Sequence, residues 1–366
     1  MINKEKLFFT ALSLLSLKTS RPFINKIVSG IGLSDEEKSF ILNNFNLAHH
    51  LKVSYNDNAG NSAAEIIDFC VSNGYHVIEY SSIDYPPLLR EIQNPPMVLY
   101  VTGKINLSQC IAIVGTRKSD YISEKISHKL SSELCDYGFT IVSGMAEGID
   151  RAAHIGALNR GATAGVVAGG IDAHCPSSNS DIFKRITESG NSTLLSENPP
   201  GSQYYKWAFV QRNRIISGIS KAVVVVKAQI KSGAMITARY AIEQNRELFA
   251  CPGYSFDDSY SGCGRLIQQG ANILTCTEDI LNELNILYPK QKADIIPDKK
   301  IINPYPEDSL EHGIINTIMT KSTDTDSLSR LYNKHISEVN NALTILEMDG
   351  IVRRNGNLVL YRDQTL

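Results

Sequence analysis

Seven short apolar runs between residues 110 and 287 restrict what this chain can become: CIAIV, FTIVSG, TAGVVAG, TLLSE, AVVVV, ELFACPG and NILTC. Each is continuous rather than alternating and is bounded by glycine or polar turns, as strands covered on both faces require. Helical patterns lie between several of them, such as SEKISHKLSSELCDYG, with Gly138 as a C-cap. Repeated strand, loop and helix predict an α/β fold with a mostly parallel sheet covered by helices. Ligands of such sheets bind outside the carboxyl ends of the strands, so each loop that follows a strand is a candidate.

The chain has 366 residues, enough for two or three domains, and its 43% hydrophobic and 20% charged composition is that of ordinary globular material. The net charge of -2 excludes a general basic coat, so any nucleic-acid binding has to come from a local patch. Seven scattered cysteines without a CxxC argue for a reducing cytoplasm. His174 and Cys175 are adjacent and make a poor tetrahedral pair, so no metal is expected. FFTALSLLSL lacks a cleavage pattern and reads as a buried helix, and no apolar run is long enough to cross a bilayer.

Residues 1–80 read as a helical N-terminal module, in which Ser34 and Glu37 form a capping box. Residues 81–109, with two Pro-Pro pairs, read as a connector. Residues 110–288 form the central domain, and 289–306 a proline and lysine linker. Residues 307–366 read as three helices and a hairpin turning at Asn355-Gly356, a winged-helix-like module. Its candidate recognition helix, SEVNNALTILEM, carries no Arg or Lys, which favours a protein-contact or structural role, with Arg353 and Arg354 within reach of phosphate.

Four loops carry residues of chemical interest. Gly115-Thr116-Arg117-Lys118 follows CIAIV: glycine allows close approach, Thr116 and the amides that follow it suit an anion at a helix start, and Arg117 can grip phosphate bidentately. Ser143, Gly144 and Gly148 suit an anion nest. Asp150 sits where a helix begins and is a capping candidate, and it lies four residues from His154 on one helical face, where the two either bond to each other and lock the loop or act as an acid-base pair. Ser143 sits in no GxSxG elbow, which weakens a hydrolase reading. Asp172, after Gly169-Gly170, recognises a hydroxyl or base edge or braces its loop, and Asn179 either caps a helix or bonds loop backbone. Glu197 is either a chemical carboxylate or a partner for Arg212 or Arg214.

The richest segment is YYKWAFVQRNR, residues 204–214. Tyr204, Tyr205, Trp207 and Phe209 are rings for base stacking, and Lys206, Arg212 and Arg214 neutralise backbone charge. At helical spacing Trp207 and Phe209 cannot both face solvent. Lys231-Ser232-Gly233 continues the patch at another helix start.

Together IVGTRKSD, SGMAEGIDRAAHIGAL, GGIDAHCPSSN, SENPPG, QRNRIISGISKAVVVVKAQIKSGAMITARYAIEQNRELFACPG and GCGRLIQQGANIL resemble the DNA-processing protein A (DprA/Smf) family across the whole central domain. The resemblance implies an extended Rossmann-like domain that binds and protects single-stranded DNA, dimerises and loads RecA recombinase, with no catalytic group and no cofactor. It implies DNA contacts from Gly115, Thr116 and Arg117, from the loop Ser143 to Asp150, from Gly169 and Gly170, from Arg212, Asn213 and Arg214, and from Lys231, Ser232 and Gly233. Cys175 stands where the family usually has tyrosine, Val210 where it favours proline, and Gly264 where an amide side chain is common. Two other readings are weighed beside it. One is a nucleotide hydrolase working through Glu197, Asp150 and His154, although the PGGxGTxxE segment of such enzymes is missing. The other is a protein scaffold acting through the C-terminal module.

Overall fold

The computed structural model describes residues 4–14, 17–43, 63–103, 107–173, 176–254, 256–284, 305–306, 309–320, 323–349, 351–355 and 358–361. The chain divides into two compact units, Met1–Ala293 and Asp294–Leu366.

The first unit opens with helices α1 (Lys4–Leu14), α2 (Leu17–Val28), α3 (Asp35–Asn43) and α4 (Ala63–Ser72). The expected capping box is present at α3: Glu37 N donates to Ser34 Oγ at 3.1 Å and Ser34 N to Glu37 Oε2 at 3.0 Å. Strand β1 (His76–Glu79), helix α5 (Pro87–Arg90) and strand β2 (Val98–Val101) follow. Alternation then begins with β3 (Cys110–Val114), α6 (Tyr121–Asp136), β4 (Thr140–Ser143), α7 (Ile149–Arg160), β5 (Ala162–Val166), α8 (Ser180–Glu188) and β6 (Thr193–Ser196). It continues with α9 (Lys206–Gly218), β7 (Ala222–Val225), α10 (Gly233–Glu243), β8 (Glu247–Ala250), α11 (Ser261–Gln268), β9 (Asn272–Ile273) and α12 (Thr277–Glu283).

All nine strands form one sheet of order β1-β2-β6-β5-β4-β3-β7-β8-β9. Strands β3 to β9 are mutually parallel, with Ile111 opposite Ile141 and Val114 opposite Val225. Each of the seven apolar runs supplies one of them. Side chains on successive strand residues point to opposite faces, so β3 feeds two cores. Ile111 and Ile113 pack with Leu134, Ala153, Val224 and Phe249 on one face. Ala112 and Val114 pack with Ile215, Ile216, Val225 and Ala238 on the other.

Two expected boundaries differ from the structure. Residues 76–79, placed in the helical module, and 98–101, placed in the connector, are β1 and β2, which pair antiparallel with each other and, through β2, with β6. The prolines lie between these strands, where Pro87 takes the first turn of α5, a position that needs no N–H. Tyr85 ties the segment down by donating to Pro96 O at 2.7 Å. VLYV is buried throughout, so it reads as strand once the sheet supplies a neighbour. The amino-terminal helices share its core: Phe9, Leu12, Ile66 and Cys70 pack with Val98, Tyr100 and Phe183.

The second unit contains α13 (Leu310–Thr320), β10 (Thr323–Asp324), α14 (Thr325–Tyr332), α15 (Ile336–Met348), β11 (Val352–Asn355) and β12 (Leu358–Tyr361). Its antiparallel sheet has the order β10-β12-β11, and its own core includes Ile314, Leu328, Leu343 and Val359. Gly356 of the expected turn lies outside the described residues. Arg354 lies along α15, donating to Glu347 Oε2 at 2.5 Å and to Asn340 and Thr344, so it is not held ready for phosphate. No helix among the described residues is long and apolar enough to cross a membrane.

Candidate nucleic-acid interface

Strand order reverses at β3, with β4 on one side and β7 on the other. The loops that follow β3 and β7 therefore part and leave a crevice at the carboxyl edge. A cleft of about 350 Å³ occupies it, lined among others by Gly115, Arg117, Phe209, Arg212, Ser232 and Gly233.

The loop after β3 is fixed from behind. A side chain on Gly115 would run into Ile149, 2.6 Å away. Thr116 N donates to Lys227 O at 2.8 Å, and Lys118 N to Thr116 Oγ1 at 3.1 Å. These amides were expected to hold an anion, and both are occupied. The start of α6 is closed as well, since Asp120 accepts from Ser123 N at 2.8 Å and pairs with Lys227 Nζ. Asp120 was missed in the sequence, although a serine three residues later is a capping signal. What this loop offers a ligand is the exposed side chains of Arg117 and Lys118.

The loop after β4 is braced rather than open. Ser143 Oγ is buried and donates to Ile113 O at 2.6 Å, which removes it from the expected nest. Gly144 N donates to Asp150 Oδ2 at 3.0 Å. Asn179 Nδ2 donates to the carbonyls of Met145 and Ala146 at 2.9 and 3.0 Å, and so braces the loop as expected. Gly148, at φ +74°, lets this loop touch the one after β3, because a Cβ there would sit 2.5 Å from Thr116 O. Asp150 and His154 do not bond to each other. His154 Nδ1 lies 2.7 Å from Thr163 Oγ1, whose own proton goes to Ile141 O. The imidazole is therefore the Nδ1–H donor. Burial, reinforced by Arg212, pushes its pKa down to about 3, so it is neutral.

Gly169 and Gly170 are buried, and serve loop packing instead of lining the cleft. Gly170 N donates to Ser202 O at 3.0 Å, and a Cβ on Gly169 would meet Ser202 O at 3.0 Å. Asp172 accepts from Gly201 N with both oxygens, at 2.8 and 2.9 Å, and so braces its loop.

Helix α9 brings the cations and rings. Arg214 is only 9% exposed and is ion-paired with Glu197, so neither is presented to a ligand. Arg212 is 5% exposed, and its Nη1 donates to Gly144 O at 2.7 Å and to Val166 O. Burial pulls its pKa down to about 10, against the attraction of Asp150, and leaves it charged at neutral pH. Burial pushes the Asp150 carboxyl up, against the pull of Arg212 and the Gly144 amide. At the start of α9, Lys206 and Trp207 are exposed and Phe209 is half-buried, as the helical spacing required. Tyr205 stacks on Trp207 at 6.0 Å, and Tyr204 on Phe209 at 5.9 Å. Asn213 Nδ2 donates to Gly233 O at 3.4 Å, which joins α9 to the start of α10, where Lys231 is exposed.

Among the described residues no three His, Cys, Asp or Glu side chains converge as a metal site, and His174 and Cys175 lie outside those residues.

Residues 76–285 match the sequence profile of the family described as DNA recombination-mediator protein A. The chain belongs to this family. The match begins at the first residue of β1, so the family domain takes in both strands that the sequence reading had set outside it. DNA processing protein DprA of Bacillus subtilis (strain 168) is 42% identical over 215 residues, covering 58% of this chain and 72% of that one. Protein Smf of Escherichia coli (strain K12) is 33% identical over 285 residues, covering 75% of this chain and 74% of that one. The crystal structure of DNA processing protein A from Streptococcus pneumoniae superposes with a TM-score of 0.61 at 29% identity, over 77% of this chain and 98% of that one. The Helicobacter pylori protein, described for its single-stranded DNA binding mode, gives a TM-score of 0.53 at 29% identity, over 59% and 97%. A mediator of recombination is a binding protein rather than an enzyme. In this member Asp150, His154 and Glu197 are all engaged by protein partners.

Proposed function

We propose that the chain binds single-stranded DNA along the carboxyl edge of its sheet, protects it and loads RecA recombinase onto it, as a cytoplasmic homodimer serving natural transformation or DNA processing. The observation that carries the reading is the mouth of the cleft. There the exposed Arg117 lies over the Phe209 ring, with Lys118 and Lys231 exposed on the bordering loops and Lys206 exposed at the start of α9. Cations that follow a backbone, combined with rings on which bases stack, grip a single strand with little regard to sequence. The name of the Helicobacter pylori relative's structure supports the same ligand. A cation-free α15 with Arg354 folded onto it suits the C-terminal unit to protein contact.

Titration of labelled single and double strands across a salt series tests this. Single strands are expected to bind more tightly, with affinity falling steeply as salt rises. Equal affinity for duplex would overturn the reading. Removal of residues 307–366 is expected to leave strand binding in place, and its total loss in a folded truncation would favour the scaffold reading. Growth of RecA filaments on strands coated with single-strand binding protein, with and without this chain, tests the loading step.

A further inference from the structure

Helix α6 is turned against its own hydrophobic pattern. It buries Ser123, Ser127 and Ser131 beside Leu130 and Leu134, while Ile122 is 57% exposed and Tyr121 and Ile126 are each 37% exposed. The fold explains the serines. α6 lies so close to α7 that a Cβ on Gly156 would sit 2.2 Å from His128 O, and Ser127 Oγ donates to Ile149 O at 2.9 Å. Small side chains that bond nearby backbone suit such a contact. The fold does not explain the isoleucines. A surface helix ordinarily turns polar groups to water, and apolar side chains gathered on its solvent face mark a surface for a partner.

The charge around them decides which partner. Lys125 and Lys129 are exposed and follow Tyr121 at steps of four residues, in one line along the helix. Lys125 Nζ lies 5.9 Å from the centroid of the Tyr121 ring. Lys129 meets Glu133 at 3.6 Å, an exposed pair of little strength. Glu124 is turned aside and accepts from Ser119 Oγ. Arg117 and Lys118 are exposed just before the first turn, so the face of α6 is continuous with the mouth of the cleft.

We propose that a single strand leaving the mouth of the cleft continues along this face of α6, with its phosphates on Lys118, Lys125 and Lys129 and its bases against Tyr121, Ile122 and Ile126. The inference rests on the strand-binding reading and extends the site that carries it. Cations in a row beside a ring and apolar side chains match a polymer that is charged along one edge and has flat apolar bases along the other. A duplex keeps its bases stacked inside and offers the isoleucines nothing. From Tyr121 to Lys129 the helix rises about 12 Å, at about 1.5 Å per residue, which adds a few nucleotides to the footprint.

Anisotropy on the intact chain with end-labelled oligothymidylates of about 4 to about 16 nucleotides, the span of single-strand site sizes, tests the path. Affinity of the parent chain is expected to rise with length until α6 is covered. Lys125→Gln combined with Lys129→Gln should leave the shortest strands unaffected and remove that rise. For the longest strand it should also lower the slope of log affinity against log salt by about 1.4, the effect of two single-strand phosphate contacts. Tyr121→Ala should weaken the longest strand at least about fivefold, the lower limit for one stacked base. These side chains are exposed and glutamine is a good helix former, so both variants are expected to melt with the parent chain. Unchanged binding at every length in both variants would overturn the proposal and leave the face to an acidic peptide. Equal loss for short and long strands would overturn it too, because α6 would then act on the cleft instead of extending it. In either case strand binding by the parent chain keeps the broader reading standing. A parent chain that binds no strand of any length would sink both.

Discussion

The guanidinium of Arg117 stands over the ring of Phe209, its Cζ 5.5 Å from the ring centroid. Phe209 stacks in turn on Tyr204, whose hydroxyl donates to Ala173 O. A cation on an exposed loop is thereby given a direction by a column of rings anchored in the protein.

Arg117→Ala is expected to weaken single-strand binding about equally for all sequences and to lower the slope of log affinity against log salt by about 0.7, the effect of one phosphate contact on a single strand. Fluorescence anisotropy over a salt series checks this. Unchanged affinity would remove Arg117 from the interface.

Trp207 is the chain's single tryptophan and is 53% exposed beside Lys206. Stacking of a base on it should change its emission during a titration with unlabelled strand. Trp207→Ala is expected to cost about 1–2 kcal/mol of binding, in the range for one stacked base. Thermal stability should barely move, because the ring contributes little to the core.

Glu197 and Arg214 hold each other at 20% and 10% side-chain exposure, and Arg214 Nη1 has no partner. Glu197→Gln leaves a nearly buried guanidinium uncompensated, at an expected cost of about 3 kcal/mol in urea denaturation. Adding Arg214→Met should recover part of that loss. If Arg214 instead gripped phosphate directly, the double variant would also show a reduced salt slope, and no such reduction is expected.

His154 sets an acid limit on stability. Its pKa falls from 6.5 in the open chain to about 3 in the fold, because burial disfavours the charged ring. Between those values the unfolded chain binds a proton that the folded one does not, so stability is lost as pH falls from 6.5 towards 3. The slope from this residue is about 1.4 kcal/mol per pH unit. Denaturation at a series of pH values should show it, and His154→Gln should flatten that stretch. An unchanged slope in the variant would contradict the assignment.

How far a residue was legible depended on what its behaviour rests on. The seven parallel strands could be read because a strand buried on both faces has to be apolar throughout. VLYV has the same property, yet adjacent prolines masked it, and only its antiparallel pairing with β6 makes it a strand. Asn179 and Asp172 could be read as loop braces because short polar side chains bond nearby backbone readily. Arg117 and Arg214 look equivalent in the sequence, but one faces solvent and the other is closed in an ion pair.

The sequence by itself determined the alternation of strand and helix, and with it the edge of the sheet on which ligands gather. Tertiary structure alone decided which polar groups on that edge remain available. Thr116, Ser143, Gly144 and Arg214 are bound to partners tens of residues away, or across a loop whose path the sequence does not specify. The physical reason is one of range. Periodicity and turn chemistry act over a few neighbouring residues, whereas burial and charge pairing depend on every segment that the fold brings into contact.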